Sequence, residues 1–171
     1  IATGEFVGLL DNDDELAPQA LFEVAKAINS NLKLDLIYSD EDKIDEQDRR
    51  FSPHFKPDWN RDLFYSHNYI THFSVISKRL IDKLGGFKEV VEGSQDYDLF
   101  LRAVACLDDS QIIHTPHILY HWRAISGSTA LSSKEKSYTS QAGLKALKDS
   151  FSKNHAGVTV TQHDLNNCYR V

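Results

Sequence analysis

Apolar residues along the chain come in short runs that alternate between strand-like and helix-like spacing. Phe6, Val7, Leu9 and Leu10 predict a short buried strand, with Gly8 allowing close packing. Leu21, Phe22, Val24, Ala25 and Ile28 then repeat at helical spacing, predicting an amphipathic helix over Pro18–Asn29 with Pro18 in its first turn. Leu34–Ser39 is a second strand signal, and Asn60–Ser66 a short helix with Leu63 and Phe64 buried. Between these lies Phe51–Trp59, whose two prolines predict an extended, irregular segment. Thr71–Ser77 reads as a strand and Lys78–Leu84 as a helix stopped by Gly85-Gly86. Gln95–Leu107 carries the strongest helical stripe, Leu99, Phe100, Ala103, Val104 and Leu107. Two strands are expected around Ile112–Ile113 and Ile118–Tyr120, a helix over Ser137–His155 and a short strand at Val158–Thr161. Val90–Ser94 reads as a loop and Ile125–Ser133, rich in Ser, Gly and Thr, as a mobile one. Strands interleaved with helices give an α/β class.

The polar positions are less even. Acid gathers in Asp11–Glu15, Asp40–Asp48 and Glu92–Asp98, and the first two clusters follow directly on strand signals. If those strands are parallel, their acidic ends can lie side by side. So many carboxylates at a strand end are costly unless a cation or solvent compensates them. Asp11 and Asp13 could hold a divalent metal that in turn holds a phosphate-bearing ligand. Alternatively the acids cap the helix near Pro18, since Asp and Asn suit an N-cap. An EF-hand loop starting at Asp11 lacks the Gly and Glu it needs, because Leu16 and Phe22 stand in those positions. Asp40, Glu41 and Asp42 either border a binding pocket or form a solvated turn after their strand.

Composition narrows the classes. The 171 residues are 41% hydrophobic and 26% charged, values of an ordinary globular domain. A net charge of −6 argues against a nucleic-acid surface. Cys106 and Cys168 share no metal or redox spacing. No apolar run approaches the roughly 20 residues of a membrane helix. The chain contains no methionine and opens Ile1-Ala2-Thr3, so it is expected to be a piece of, or a processed product from, a longer protein.

Four separated motifs line up in order: LLDNDD at 9–14, YSDEDKID at 38–45, EGSQDYDL at 92–99 and LYHWR at 119–123, with GGF at 85–87 between the second and third. Together they resemble the second half of a family 2 glycosyltransferase catalytic domain, the GT-A fold. The resemblance is dense through Arg123 and thinner to the end, so that 1–123 carries the motif core and 124–171 a loop, a helix and a run-out. It implies a mixed sheet flanked by helices, lacking the N-terminal half that binds the nucleotide. It also implies inverting transfer from a nucleotide-diphosphate sugar to a saccharide or lipid-linked saccharide acceptor. On this resemblance Asp11-Asn12-Asp13 matches the DxD motif. Asp13 contacts a divalent metal, Mn²⁺ or Mg²⁺, Asp11 contacts the donor ribose or a metal-bound water, and Asp14 is left to capping. Asp96 matches the general base, with Gln95 where Glu is frequent; the competing reading is a helix N-terminal acid. Asp98, two residues along the helix, points elsewhere. His121 matches a third metal ligand and Arg123 a residue facing the diphosphate. His114 and His117 fit no zinc pattern with His121, and Trp122 is either a sugar-stacking or a core residue.

FKPDW at 55–59 resembles a bacterial subgroup associated with O-antigen and other surface polysaccharides, with Lys56 and Trp59 on the acceptor side. Asn167–Val171 resembles the run-out that leads to a second transferase domain in some relatives. Further domains in the full-length protein are therefore expected, as are inactivity of this chain alone and a place in the cytoplasm or at the cytoplasmic face of the inner membrane. The surfaces left by a missing half would invite homo-oligomerisation. The competing reading is a non-catalytic metal- or sugar-binding module within a larger assembly.

Overall fold

A parallel pair of long strands forms the spine of the fold. All nine residues of β3 (Leu36–Ile44) find partners on β6 (Ile112–Arg123), with register shifts around Asp40. A computed structural model describes residues 2–88, 93–124, 133–154, 157–165 and 167–171, the side chains of 133–138 and 153–154 excepted. Around the spine, β1 (Phe6–Gly8), β5 (Ser74–Ser77) and β2 (Glu15–Leu16) complete the sheet in the order β1-β5-β3-β6-β2. β4 (Arg50–His54) forms an antiparallel hairpin with β3. Because β5 is antiparallel to both β1 and β3, those two run parallel to each other, but β5 lies between them, so their acidic ends are not on neighbouring strands.

Side-chain alternation splits the interior into two layers. Ile37, Val75, Leu119 and Phe73 pack with Ala20 and Val24 of α1 (Ala20–Ser30). Leu36, Tyr38 and Ile76 face the other way, onto α2 (Arg61–Ser66), α3 (Lys78–Leu84), α4 (Gln95–Val104) and α5 (Ser133–Asn154). Leu147 and Phe151 of α5 lie in this larger core, so the last helix is packed against the motif-bearing part of the chain. β7 (Thr161–Gln162) and β8 (Tyr169–Arg170) form a separate ribbon, from which Tyr169 stacks on Tyr97 of α4. The result is the expected mixed α/β sheet with flanking helices. No helix among the described residues is long and apolar enough to cross a membrane.

Local chemistry explains where the expected elements held and where they shifted. α3 has the expected bounds because Ser77 caps Leu80 N–H and Gly85 takes the left-handed conformation, φ 76°, that stops the helix. Asn60 caps α2 through Leu63 N–H, but Leu63 itself is exposed; only Phe64 of that pair is buried. The two strands expected in 111–122 are one, with an irregularity between Thr115 and Ile118. The segment expected to be irregular begins as β4, and β3 does not stop at Ser39 but continues through Asp40, Glu41 and Asp42. The expected loops at 90–94 and 125–133 fall largely outside the described residues.

Gly8 is a position where close approach is required. A Cβ there would meet the Phe73 ring at 2.9 Å, and Phe73 is 3% exposed with nowhere to move. Gly8→Ala should therefore destabilise the fold by about 1–3 kcal/mol, the range for overpacking, despite the entropic gain of replacing a strand glycine. Urea unfolding of both proteins measures this, and an unchanged or raised midpoint would contradict the packing described.

Candidate functional site

The acidic loop after β1 is shaped from β6. Tyr120 Oη accepts from Asp11 N–H at 3.3 Å and donates to the Asp14 carboxylate. Arg123 N–H donates to the other Asp14 oxygen at 2.7 Å, and the Arg123 guanidinium reaches the Asp13 carbonyl at 2.8 Å. Burial raises the Asp14 carboxyl above its ordinary value in spite of these bonds. Asp14 is thus a tie between loop and sheet, not the expected helix cap: α1 starts after Gln19, with no side-chain cap at all. Short β2 intervenes between the loop and the helix, which is why the acids cannot reach its N-terminus.

Asp11 and Asp13 remain. Both are exposed, and neither carboxylate makes a hydrogen bond or ion pair among the described residues. Two unpaired carboxylates on one loop are hard oxygen donors, and Mg²⁺ and Mn²⁺ commonly sit on one or two such groups plus substrate phosphates and water. That donor set fits a divalent ion. No group of three His, Cys, Asp or Glu side chains positioned to hold a metal occurs among the described residues.

His121 does not join the two carboxylates. Its Nδ1 lies 2.5 Å from Asp42, which also binds Arg50 at 2.6 Å. Glu41, Lys43 and Trp122 line the cavity, so the intervening Asp42 and its cross-strand partner His121 turn to the other face. Arg123 is likewise engaged, with Glu15 and with Asp48 at 2.8 Å. These carboxylates hold its guanidinium above its ordinary value.

The cavity has a volume of about 620 Å³. Asp11 opens onto it from the loop, Glu41 and Trp122 from the sheet, Thr71 and His72 from the approach to β5, and Asp96 from the first turn of α4. Asp13 does not line it. Asp96 Oδ2 accepts from Asn68 Nδ2 at 3.1 Å and from Thr71 Oγ1 at 3.0 Å. Asp98 points away, as expected, to Lys88 at 2.9 Å and Arg102 at 2.7 Å, and Arg102 also binds the carbonyls of Leu84 and Gly86. Half-buried Trp122 serves the cavity wall and carries Lys43 over its ring at 5.1 Å.

One wall of the cavity is a charge cluster that the sequence did not announce. Glu41 Oε2 accepts from His72 N–H at 2.6 Å and meets His72 Nδ1 at 3.2 Å, while Oε1 meets His54 Nδ1 at 3.2 Å and Lys56 lies 3.8 Å away. Burial pushes Glu41 up, but these bonds and the Lys56 charge overcome it and hold the carboxyl well below its usual range. Burial lowers Lys56 to about 8, and for His72 the Glu41 contact outweighs burial and raises the ring. Lys56 also donates to the His72 carbonyl, and Asp40 receives Lys56 N–H and His114, each at 2.8 Å. Asp40, Glu41 and Asp42 are all buried and partnered, so the solvated-turn reading is replaced. The available signal was the strand pattern continuing through the acids to Ile44, with Arg50, His54 and Lys56 following soon after; His72, His114 and His121 come from far along the chain.

No protein-family profile matches the chain. It is 47% identical over 149 residues to an uncharacterized protein, y4gI, of Sinorhizobium fredii, covering 87% of this chain and 16% of that relative. It is 38% identical over 158 residues to the O-antigen biosynthesis protein RfbC of Myxococcus xanthus, covering 92% of this chain and 12% of RfbC. An uncharacterized glycosyltransferase of Methanocaldococcus jannaschii, MJ1057, is 31% identical over 109 residues, 61% of this chain and 38% of its own length. The chain thus spans well under half of each of these curated relatives.

Glu41→Gln would leave Lys56 buried without its carboxylate, and should destabilise the fold by about 3 kcal/mol near neutral pH. The folded Glu41 value lies below its ordinary 4.5, so the unfolded chain takes up the proton first as pH falls. The contribution of Glu41 is complete above that value and is lost as pH drops through the folded one. Urea titrations from about pH 7 to about pH 3 should show the gap between wild type and variant narrowing on the acid side; a gap independent of pH would contradict the ionised cluster.

Proposed function

The chain belongs to the family 2 glycosyltransferases, and we propose that the whole protein transfers a sugar, with inversion, from a nucleotide-diphosphate donor to a hydroxyl of a saccharide or lipid-linked saccharide. The observation that carries this reading is that Asp11, beside the unpaired Asp13, and Asp96 border one cavity. Its volume of about 620 Å³ is in the ordinary range for small-molecule sites.

In this reading Asp96 is the general base. An acceptor hydroxyl is a weak nucleophile and must lose its proton as it attacks. A divalent ion on Asp11 and Asp13, Mn²⁺ or Mg²⁺, supplies Lewis-acid stabilisation of the departing diphosphate when bound. Arg123 and Tyr120 act on the loop that carries those carboxylates, through the Asp13 carbonyl, Asp14 and Asp11 N–H. His121 acts through Asp42 as part of the sheet. Likeness to an O-antigen biosynthesis protein supports a product among bacterial surface polysaccharides.

The test uses the full-length protein and a panel of UDP-, GDP- and dTDP-sugars with Mn²⁺. Asp96→Asn should lower turnover about 10²–10⁴-fold, the usual scale for removing a general base, while calorimetric donor affinity stays unchanged. Donor affinity lost in proportion to turnover would make Asp96 structural. In the same assay Asp11→Asn and Asp13→Asn should weaken Mn²⁺ binding at least about tenfold, as expected when one of two charged ligands is neutralised. Wild-type protein that binds donor and Mn²⁺ but turns over none of the panel would favour the non-catalytic binding module.

A further inference from the structure

Asp96 is held by one oxygen only. Asn68 and Thr71 both donate to Oδ2, at 3.1 and 3.0 Å, and no described residue is bonded to Oδ1. Both donors come from the short segment joining α2 to β5, and both, like Asp96, line the cavity. That segment is itself fixed from below: the next residue, His72, is gripped by Glu41 through backbone N–H and ring, and its carbonyl by Lys56. The two donors thus stand on a rigid base rather than on a free loop.

Asn68 adds an independent sign. Its Oδ1 is buried and has no hydrogen-bond partner among the described residues. A buried acceptor without a partner is unfavourable, and native structures rarely keep one. Turning the amide over would set that oxygen against the Asp96 carboxylate and remove a donor from it. The amide is therefore held the way round that serves Asp96, at the expense of its own carbonyl.

We propose that Asn68 and Thr71 are positioning residues that bind Asp96 Oδ2 and so assign Oδ1 as the oxygen that receives the acceptor proton. This inference rests on the reading of Asp96 as the base. In the step it describes, the acceptor oxygen forms a bond to the anomeric carbon while the bond from that carbon to the diphosphate breaks. The electron pair of the broken bond leaves with the diphosphate. The proton of the acceptor hydroxyl passes to Asp96 Oδ1, and no oxidant or reductant is involved. Two donors on Oδ2 restrain rotation of the carboxylate and leave Oδ1 as the acceptor for the incoming proton. Geometry of this kind acts on the reacting state more than on ground-state binding, so its loss appears in kcat.

The experiment uses full-length protein with Mn²⁺, a lipid-linked saccharide fraction as acceptor, and whichever UDP-, GDP- or dTDP-sugar of the panel yields nucleoside diphosphate. Thr71→Val and Asn68→Leu should each lower kcat about tenfold and the double variant about 100-fold, with donor KM within about twofold of wild type. Thr71→Ser, which keeps the hydroxyl, should restore kcat to within about threefold of wild type. Circular dichroism confirms that each variant is folded. If both single variants keep wild-type kcat while Asp96→Asn is inactive, the positioning role is overturned and the base survives. If Asp96→Asn itself keeps its turnover, the base reading fails first. A Thr71→Ser protein as slow as Thr71→Val, or a donor KM that rises as far as kcat falls, would also overturn the proposal by showing a structural effect.

Discussion

The fold depends on neutralising three consecutive carboxylates inside its central strand. Asp40, Glu41 and Asp42 lie buried on β3, where an unpaired charge would cost several kcal/mol. Each is matched by partners from elsewhere in the chain: Asp40 by His114 and Lys56 N–H, Glu41 by His54, His72 and Lys56, Asp42 by His121 and Arg50. Those partners sit on β4, on the segment after it, on the approach to β5 and on β6. The ladder between β3 and β6 can be long and parallel because these pairs make its polar half compatible with the interior.

The site follows from that arrangement. With Glu41 holding His72, the adjacent Thr71 and the nearby Asn68 are set beside the first turn of α4, and Asp96 is set with them. At the same end of the strand pair, where Tyr120 lies across from Glu41, Tyr120 and Arg123 fix the loop that presents Asp11 and Asp13. One strand pair thus supports both the carboxylate that faces an acceptor and the carboxylates suited to a cation. Its other face carries His121, which is committed to Asp42.

Much of this architecture was legible in the sequence because local signals carried it. Ser77 and Gly85 delimit α3 chemically, and the stripe from Leu99 to Leu107 marks the helix that becomes the centre of the larger core. The Asp96 and Asp98 pair also separated as helix geometry requires, one to the cavity and one to Arg102. What was not legible were long-range pairings. Acids after a strand look like a turn until His54, Lys56, His72, His114 and His121 are known to converge on them, and sequence spacing says nothing of that convergence. Asp14 reads as a cap from sequence for the same reason: its partner Tyr120 is 106 residues away. Asn68 and Thr71 carried no motif at all, since a hydrogen bond to a carboxylate asks only for a donor in the right place.

The most direct test locates the metal. Crystals of the full-length protein grown with Mn²⁺ and a nucleoside diphosphate should show an anomalous peak at Asp11 and Asp13, at the mouth of the cavity that contains Asp96. A peak at the Glu41, His54 and His72 cluster, at the His121–Asp42 pair, or on neither carboxylate of the loop would contradict the account.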